Sequence, residues 1–207
     1  MIINIAGVVG VGKSSLTNLI WENWRYVPFK EPVFDNPLLQ KFYYDKKRYA
    51  FPLQVFFLNK RFEMCKQAVE YDNAVMDRSI VEDTIFAKML RDSGDMDPNE
   101  YHIYRELFTN MMEHVIKPDL MVYLKVSPEE AVRRINKRGR EYEVQADTEY
   151  WYKLSQNYSE FFYDYSWTKL LTIECDELDF VNNDRDQMYV LEEITSHIEE
   201  IQDKRNF

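Results

Sequence analysis

Three of the chain's five glycines fall within six positions, in the run Gly7-Val8-Val9-Gly10-Val11-Gly12-Lys13-Ser14. The run fits G-x-x-x-x-G-K-[ST], a loop whose backbone N–H groups cradle phosphate. Its flanks restrict the fold. Residues 2–6 are mostly apolar and β-branched and read as a buried strand. Residues 13–24 set Leu16, Leu19, Ile20 and Trp24 on one face at helical spacing. Strand, glycine-rich turn and helix start together aim backbone donors at an anion. Gly7, Gly10, Val11, Gly12, Lys13, Ser14 and Ser15 are the expected cradle. In it Lys13 reaches the terminal phosphates and the Ser14 hydroxyl ligates Mg²⁺.

The rest of the chain alternates. Strands are expected at 2–6, about 27–30, 74–77, 120–124 and 170–173. Helices are expected at about 13–24, 37–44, 50–71, 81–91, 98–116, 128–138, 147–165 and 185–203. The strands are continuous apolar runs, the pattern of a parallel sheet covered on both faces. Five of them with intervening helices give an α/β fold, a three-layer α/β/α arrangement with active residues at the strands' carboxyl ends. With 207 residues, 45% of them apolar, and few glycines or prolines, a single domain over 1–207 is expected.

Composition excludes some partners. A formal charge of −10 argues against nucleic acid held on a broad basic face, though not against a nucleotide, which needs only a local positive cluster. No stretch approaches the roughly 18 apolar residues of a membrane span. The start lacks a basic leader, so no targeting peptide is expected. The two cysteines, Cys65 and Cys175, suggest no metal site and a reducing, cytoplasmic compartment.

Charged residues mark the other strand ends. Glu31 follows the second strand. A carboxylate there can take the proton of an attacking hydroxyl, and it repels an acceptor that already carries phosphate. It also reads as a solvated loop residue. Asp77 ends the third strand and suits water-mediated Mg²⁺ binding, or a strand-end salt bridge. Arg78 beside it can steady Glu31 or a transferring phosphoryl group. Five basic residues, Arg133, Arg134, Lys137, Arg138 and Arg140, occupy eight positions. Arg134 and Arg138 share a helix face, and Gly139 breaks the helix so that Arg140 can swing. The cluster reads as an arginine lid over about 134–146 that closes on triphosphate, or as a solvated basic face. Neither Asn-Lys pair, Asn59-Lys60 nor Asn136-Lys137, continues to the aspartate of a guanine-reading element. The pattern therefore argues against a GTPase.

In order along residues 7 to 180, these pieces resemble the deoxyribonucleoside kinase family, most of all its bacterial deoxyadenosine and deoxyguanosine kinases. The pieces are Gly7 to Ser15, Glu31-Pro32-Val33, Tyr43, Tyr49 to Gln54, Asp77-Arg78-Ser79, Arg134 to Glu143, and Asp179-Phe180. The resemblance implies a P-loop kinase that moves the γ-phosphoryl group of ATP, with Mg²⁺, to the 5′-hydroxyl of a deoxynucleoside. Glu31 would be the base and Arg78 would assist it. Arg134, Arg138 and Arg140 would form the lid. Tyr43 and Glu143 would bind the 3′-hydroxyl. Asp179 and Phe180 would line the adenine pocket of ATP. Gln54 would read the base edge, with Arg61 and Asp83 choosing among bases and Phe86 stacking on them.

An amide can pair with adenine or, turned over, with guanine, so Gln54 cannot choose alone. Asp83 would accept from an exocyclic amine that thymine lacks. Deoxyadenosine is the expected acceptor, with deoxyguanosine or deoxycytidine also admissible. The spacing from Asp77 to Phe86 is one residue shorter than the eukaryotic pattern, which leaves Glu82 as an alternative to Asp83. Asn36 stands where the eukaryotic members have tryptophan. The resemblance also implies a homodimer through 50–71 and 81–91, although a long aromatic-rich helix fits a buried core element equally well. Two other readings remain open. A thymidylate-type monophosphate kinase shares the fold but needs positive charge where Glu31 stands. A non-catalytic nucleotide-binding module would have no use for Glu31, Asp77, Arg78 and a lid together.

Overall fold

The computed structural model describes residues 1–31 and 36–205. Pro32 and Val33, part of the resemblance, lie outside the described residues. Among the described residues five strands form one sheet: β1 (Ile2–Ala6), β2 (Val27–Phe29), β3 (Ala74–Asp77), β4 (Leu120–Lys125) and β5 (Lys169–Glu174). Every pairing is parallel, in the order β2-β3-β1-β4-β5. Successive side chains of a strand point to opposite faces. In β3 all four are buried, and β1 and β4 are buried along nearly their whole length, so helices cover both faces. At the edge, β5 alternates instead.

The helices are α1 (Lys13–Trp24), α2 (Leu39–Tyr44), α3 (Lys46–Ala68), α4 (Asp83–Asp92), α5 (Pro98–Met112), α6 (Pro128–Arg138), α7 (Glu141–Val144), α8 (Thr148–Tyr163) and α9 (Asp184–Arg205). Several boundaries differ from the sequence expectation by a few residues, and three of the differences have a visible cause. First, α3 begins at Lys46, because the Asp45 carboxylate accepts from the Arg48 N–H (3.2 Å); Pro52 therefore falls inside a helix that periodicity started at 50. Second, α5 stops at Met112, and His114 and Val115 close tighter turns onto Met111 and Met112. Third, α4 is preceded by a 3₁₀ turn, Ile80–Glu82, capped by Ser79 and Glu82 reciprocally. The short α7 carries no periodic signal and was not expected. Among the described residues no helix is long and apolar enough to cross a membrane.

Topology places the site. From β1 the chain runs first to β2 and β3 on one side, then to β4 and β5 on the other. That reversal opens a crevice at the carboxyl end of β1, where the glycine-rich loop begins. Ile5 pairs with Asp77 and Phe29 with Met76, so Glu31, Asp77 and Arg78 emerge beside the loop.

Gly7 makes the turn out of β1 at φ +142°, and a Cβ there would lie 2.6 Å from the Leu124 carbonyl oxygen and 2.9 Å from Val11 Cγ1. Backbone of β4 cannot withdraw without breaking the sheet. Gly7→Ala should therefore cost about 1–3 kcal/mol in urea unfolding. An unchanged midpoint would show that the β1–β4 edge yields.

Candidate active site

The crevice widens into a cavity of about 510 Å³. Its floor is the glycine-rich loop, through Gly10, Gly12, Lys13, Ser14 and Ser15. Gly12 caps α1 in a left-handed conformation (φ +113°), with no side-chain cap and no acidic residue in the first turn. The first N–H groups of α1 are thus left for an anion. A Cβ on Gly12 would sit 2.7 Å from the Phe180 ring, so that ring supports the loop from below. Lys13 Nζ donates to the carbonyls of Gly7 and Val8 (2.9 Å each). Burial, then the Arg78 charge, lowers its ammonium to about 8. Ser14 Oγ donates to Asp77 Oδ2, while Asp77 Oδ1 is buried with no partner among the described residues. Burial raises the Asp77 carboxyl, and Lys13 opposes that shift.

One wall is a chain of charge. Arg61 on α3 donates through Nη1 to Asp83 and through Nη2 to Glu31 Oε1 (2.6 Å). Arg78 Nε donates to the same Oε1 (2.8 Å). No hydrogen bond reaches Glu31 Oε2 among the described residues. Burial favours the neutral Glu31 acid, but Arg78, Arg61 and Lys13 outweigh it and hold the carboxyl at about 2. Asp83 is raised to about 6 by burial, against the pull of Arg61. Asp83 Oδ2 and Arg61 Nε are buried without partners among the described residues. Gln54 and Phe57 of α3 and Phe86 of α4 share this wall, and the Arg78 guanidinium lies 5.1 Å from the Phe86 ring centre.

Tyr43, Arg138, Arg140, Glu143 and Tyr150 also line the cavity. Glu143 is buried and accepts from Arg138 and from Arg140 (3.2 Å). Gly139, at φ +70°, ends α6 between these arginines. Tyr43 packs against Tyr142 and Trp151 at 5.4 and 6.2 Å between ring centres.

Several expected site residues stand elsewhere. Arg134 does not line the cavity. One turn before Arg138, it meets backbone: its guanidinium donates to the carbonyls of Val11 (3.1 Å), Cys175 and Leu178 (3.2 Å). It is a clamp between the phosphate loop and the segment after β5. Gly7 and Val11 are also off the cavity wall, and the Gly7 N–H is committed to Glu82 Oε1 (3.1 Å). Asp179 and Phe180 are off it too. The Asp179 carboxylate accepts from Asn182, and Phe180 lies under Gly12, while Val181 reaches the cavity. Of the two neighbouring acids, Asp83 faces the cavity with Arg61, whereas Glu82 turns back toward Gly7, Ser79, Arg78 and Tyr158. Tyr158 escaped the sequence reading, and Glu82 entered it only as an alternative to Asp83 for the base amine. The capping-box spacing of Ser79 and Glu82 was the one available signal.

Comparison with known proteins fits this geometry. Residues 3–199 match the family described as deoxynucleoside kinase. The chain is 40% identical to a deoxyguanosine kinase of Lactobacillus johnsonii, over 97% of this chain and 93% of that one. It is also 40% identical to a deoxyadenosine kinase of Lactobacillus acidophilus, over 97% of each. A solved structure of the M. mycoides deoxyadenosine kinase, with products dCMP and a flexible dCDP bound, superposes with a TM-score of 0.85 at 34% identity. That match covers 95% of this chain and all of the other.

The lowered Lys13 has a measurable consequence. A triphosphate beside it favours the ammonium and raises its pKa, so binding takes up a proton wherever free Lys13 is partly neutral. At about pH 8 the uptake should approach half a proton per ATP. Calorimetry in buffers of different ionisation enthalpy measures it. Equal uptake by Lys13→Met would assign the proton elsewhere.

Proposed function

This chain belongs to the deoxynucleoside kinase family and phosphorylates deoxynucleosides with ATP; within that activity we propose the roles of its residues and deoxyadenosine as its preferred acceptor. The observation that carries the residue roles is the convergence of Arg61 and Arg78 on one oxygen of Glu31. The other oxygen, Oε2, is left for the 5′-hydroxyl. As the hydroxyl oxygen bonds to the γ-phosphorus, the bond from phosphorus to the β,γ-bridging oxygen breaks and ADP leaves. The hydroxyl proton passes to Glu31 Oε2. Glu31 is held near 2, so it is ionised at neutral pH and orients the hydroxyl before it takes the proton late, as a loose phosphoryl transfer allows. Lys13, Arg138 and Arg140 are assigned to the phosphates, the last two by leaving Glu143.

Ser14 Oγ and the unpartnered Asp77 Oδ1 are hard oxygen donors and fit Mg²⁺, with Asp77 acting through water. When bound, the ion neutralises phosphate charge. Tyr43 and the released Glu143 are assigned to the 3′-hydroxyl.

Base choice is assigned to the free acceptor and donor. Asp83 Oδ2 accepts a hydrogen bond from the exocyclic amine, Arg61 Nε donates to a ring acceptor, Gln54 reads the remaining edge and Phe86 stacks. Relatives named for deoxyguanosine and for deoxyadenosine are equally identical to this chain, so identity does not decide the base, and the proposed preference rests on the donors and acceptors of this wall. Asp179 and Phe180 border the ATP side behind Val181. We take residues 1–207 as one domain with its lid within 134–146. A homodimer would use the half-buried Phe56, Phe62 and Met64 of α3, because α4 is largely buried in its own chain. The buried free thiols of Cys65 and Cys175 suit a reducing cytoplasm.

Two measurements test these roles. Glu31→Gln should retain deoxynucleoside binding and lower kcat by about 10²–10⁴-fold. A change under about threefold would remove Glu31 as the base. In a panel of acceptors, deoxyadenosine should lead, thymidine should trail, and dAMP should not be phosphorylated, because a phosphate dianion would face Glu31.

Arg61→Met with Asp83→Ala should raise the thymidine-to-deoxyadenosine ratio of kcat/KM. A demanded hydrogen bond rejects an analogue lacking it by up to about 10⁴-fold, so even partial relaxation is visible. Arg61 also holds Glu31, so kcat for deoxyadenosine should fall in the same variant. An unchanged ratio in the folded variant would make the pair structural.

A further inference from the structure

Glu82 has 0% exposure and does not line the cavity. Its carboxylate nonetheless gathers four donors. Oε2 accepts from the Ser79 N–H (2.6 Å). Oε1 accepts from the Gly7 N–H (3.1 Å), the Tyr158 hydroxyl (2.8 Å) and Arg78 Nη1 (3.4 Å). Arg78 Nη1 also donates to the Tyr158 hydroxyl, which closes a ring of three side chains. Every partner of the carboxylate is a donor, so an amide in its place would set an NH₂ against an N–H.

Arg78 needs this hold. Its backbone sits at φ +82°, a left-handed conformation that is strained for a non-glycine residue and persists only when the surroundings fix it. One edge of its guanidinium meets Glu31. The other edge meets Glu82 and Tyr158.

We propose that Glu82 is a positioning residue for phosphoryl transfer, gripping the far edge of Arg78 through Tyr158 so that the near edge fixes Glu31. The same carboxylate holds the Gly7 N–H, so Arg78 and the start of the phosphate loop keep one relative placement. The inference rests on the roles proposed for Glu31 and Arg78. Glu82 touches no substrate; it acts through Arg78, and its substitution should behave accordingly.

Steady-state kinetics with deoxyadenosine and ATP, deoxyadenosine binding, and circular dichroism test this on the full chain. Glu82→Gln should lower kcat roughly 10- to 100-fold, the cost of a misplaced catalytic group, with deoxyadenosine affinity within about twofold of the parent. In an Arg78→Lys background, which keeps the buried charge but not the two-edged grip, the same substitution should cost under about threefold more. Multiplying effects, an unchanged kcat, or an equal loss of deoxyadenosine affinity would each overturn the proposal.

Where Glu82→Gln fails to fold, Tyr158→Phe keeps the ring and removes only the linking hydroxyl. It should lower kcat roughly 3- to 10-fold alone and under about twofold in Arg78→Lys. No loss, or the same loss in both backgrounds, overturns it. A parent chain inert toward every deoxynucleoside would instead overturn the function on which the inference stands.

Discussion

Five ionic side chains in alternating sign, Asp83, Arg61, Glu31, Arg78 and Glu82, run in contact from the wall of the cavity to the buried interior behind it. Four of them are buried and Glu31 is half-buried. Taking such groups out of water is expensive, and only their mutual contacts and added hydrogen bonds offset it. Removing any one leaves a neighbour uncompensated, typically at a cost of about 3–5 kcal/mol. The chain joins five segments: α4, α3, the end of β2, the end of β3 and the 3₁₀ turn. The sheet order is therefore a condition for the chemistry proposed for this site, since only the β2-β3-β1 neighbourhood sets Glu31 and Arg78 together beside the phosphate loop.

What the sequence disclosed follows from how local each signal is. The phosphate loop is contiguous, so its residues and its flanking strand and helix could be read directly. Glu31, Asp77 and Arg78 end strands of a parallel sheet, and the position of active groups at such ends is general. Arg134 could not be placed. Its spacing from Arg138 promised a shared face, yet one helical turn along α6 exchanges an opening cavity for the backbone of the phosphate loop. Glu82 and Asp83 are adjacent acids with opposite tasks. Only the 3₁₀ turn, which rotates one toward Gly7 and the other toward Arg61, tells them apart. Phe180 was read for its ring, but its packing against Gly12 depends on a contact far away in sequence.

Helix limits failed for physical reasons of the same kind. Asp45 starts α3 ahead of a proline that propensity would have placed at its edge. Pro52 thus lies inside the helix, on its exposed side, where its missing donor removes one helical bond. Nothing periodic marks α7, whose four residues exist because Glu143 is drawn inward by two arginines.

The segment between α6 and α8 is fastened at both ends. Arg134 ties α6 to three carbonyls, and Tyr158 ties α8 to Glu82 and Arg78. Between these anchors the left-handed Gly139 and the Asp147 cap of α8 bound a short stretch that carries Arg140 and Glu143. A loop with fixed ends has already lost most of its conformational freedom, and loop-closure entropy grows only slowly with length. In the lid closure proposed above, bringing Arg138 and Arg140 onto a triphosphate would therefore order few additional bonds. Most of the attraction between arginine and phosphate is left to hold the nucleotide rather than to freeze the chain that reaches for it.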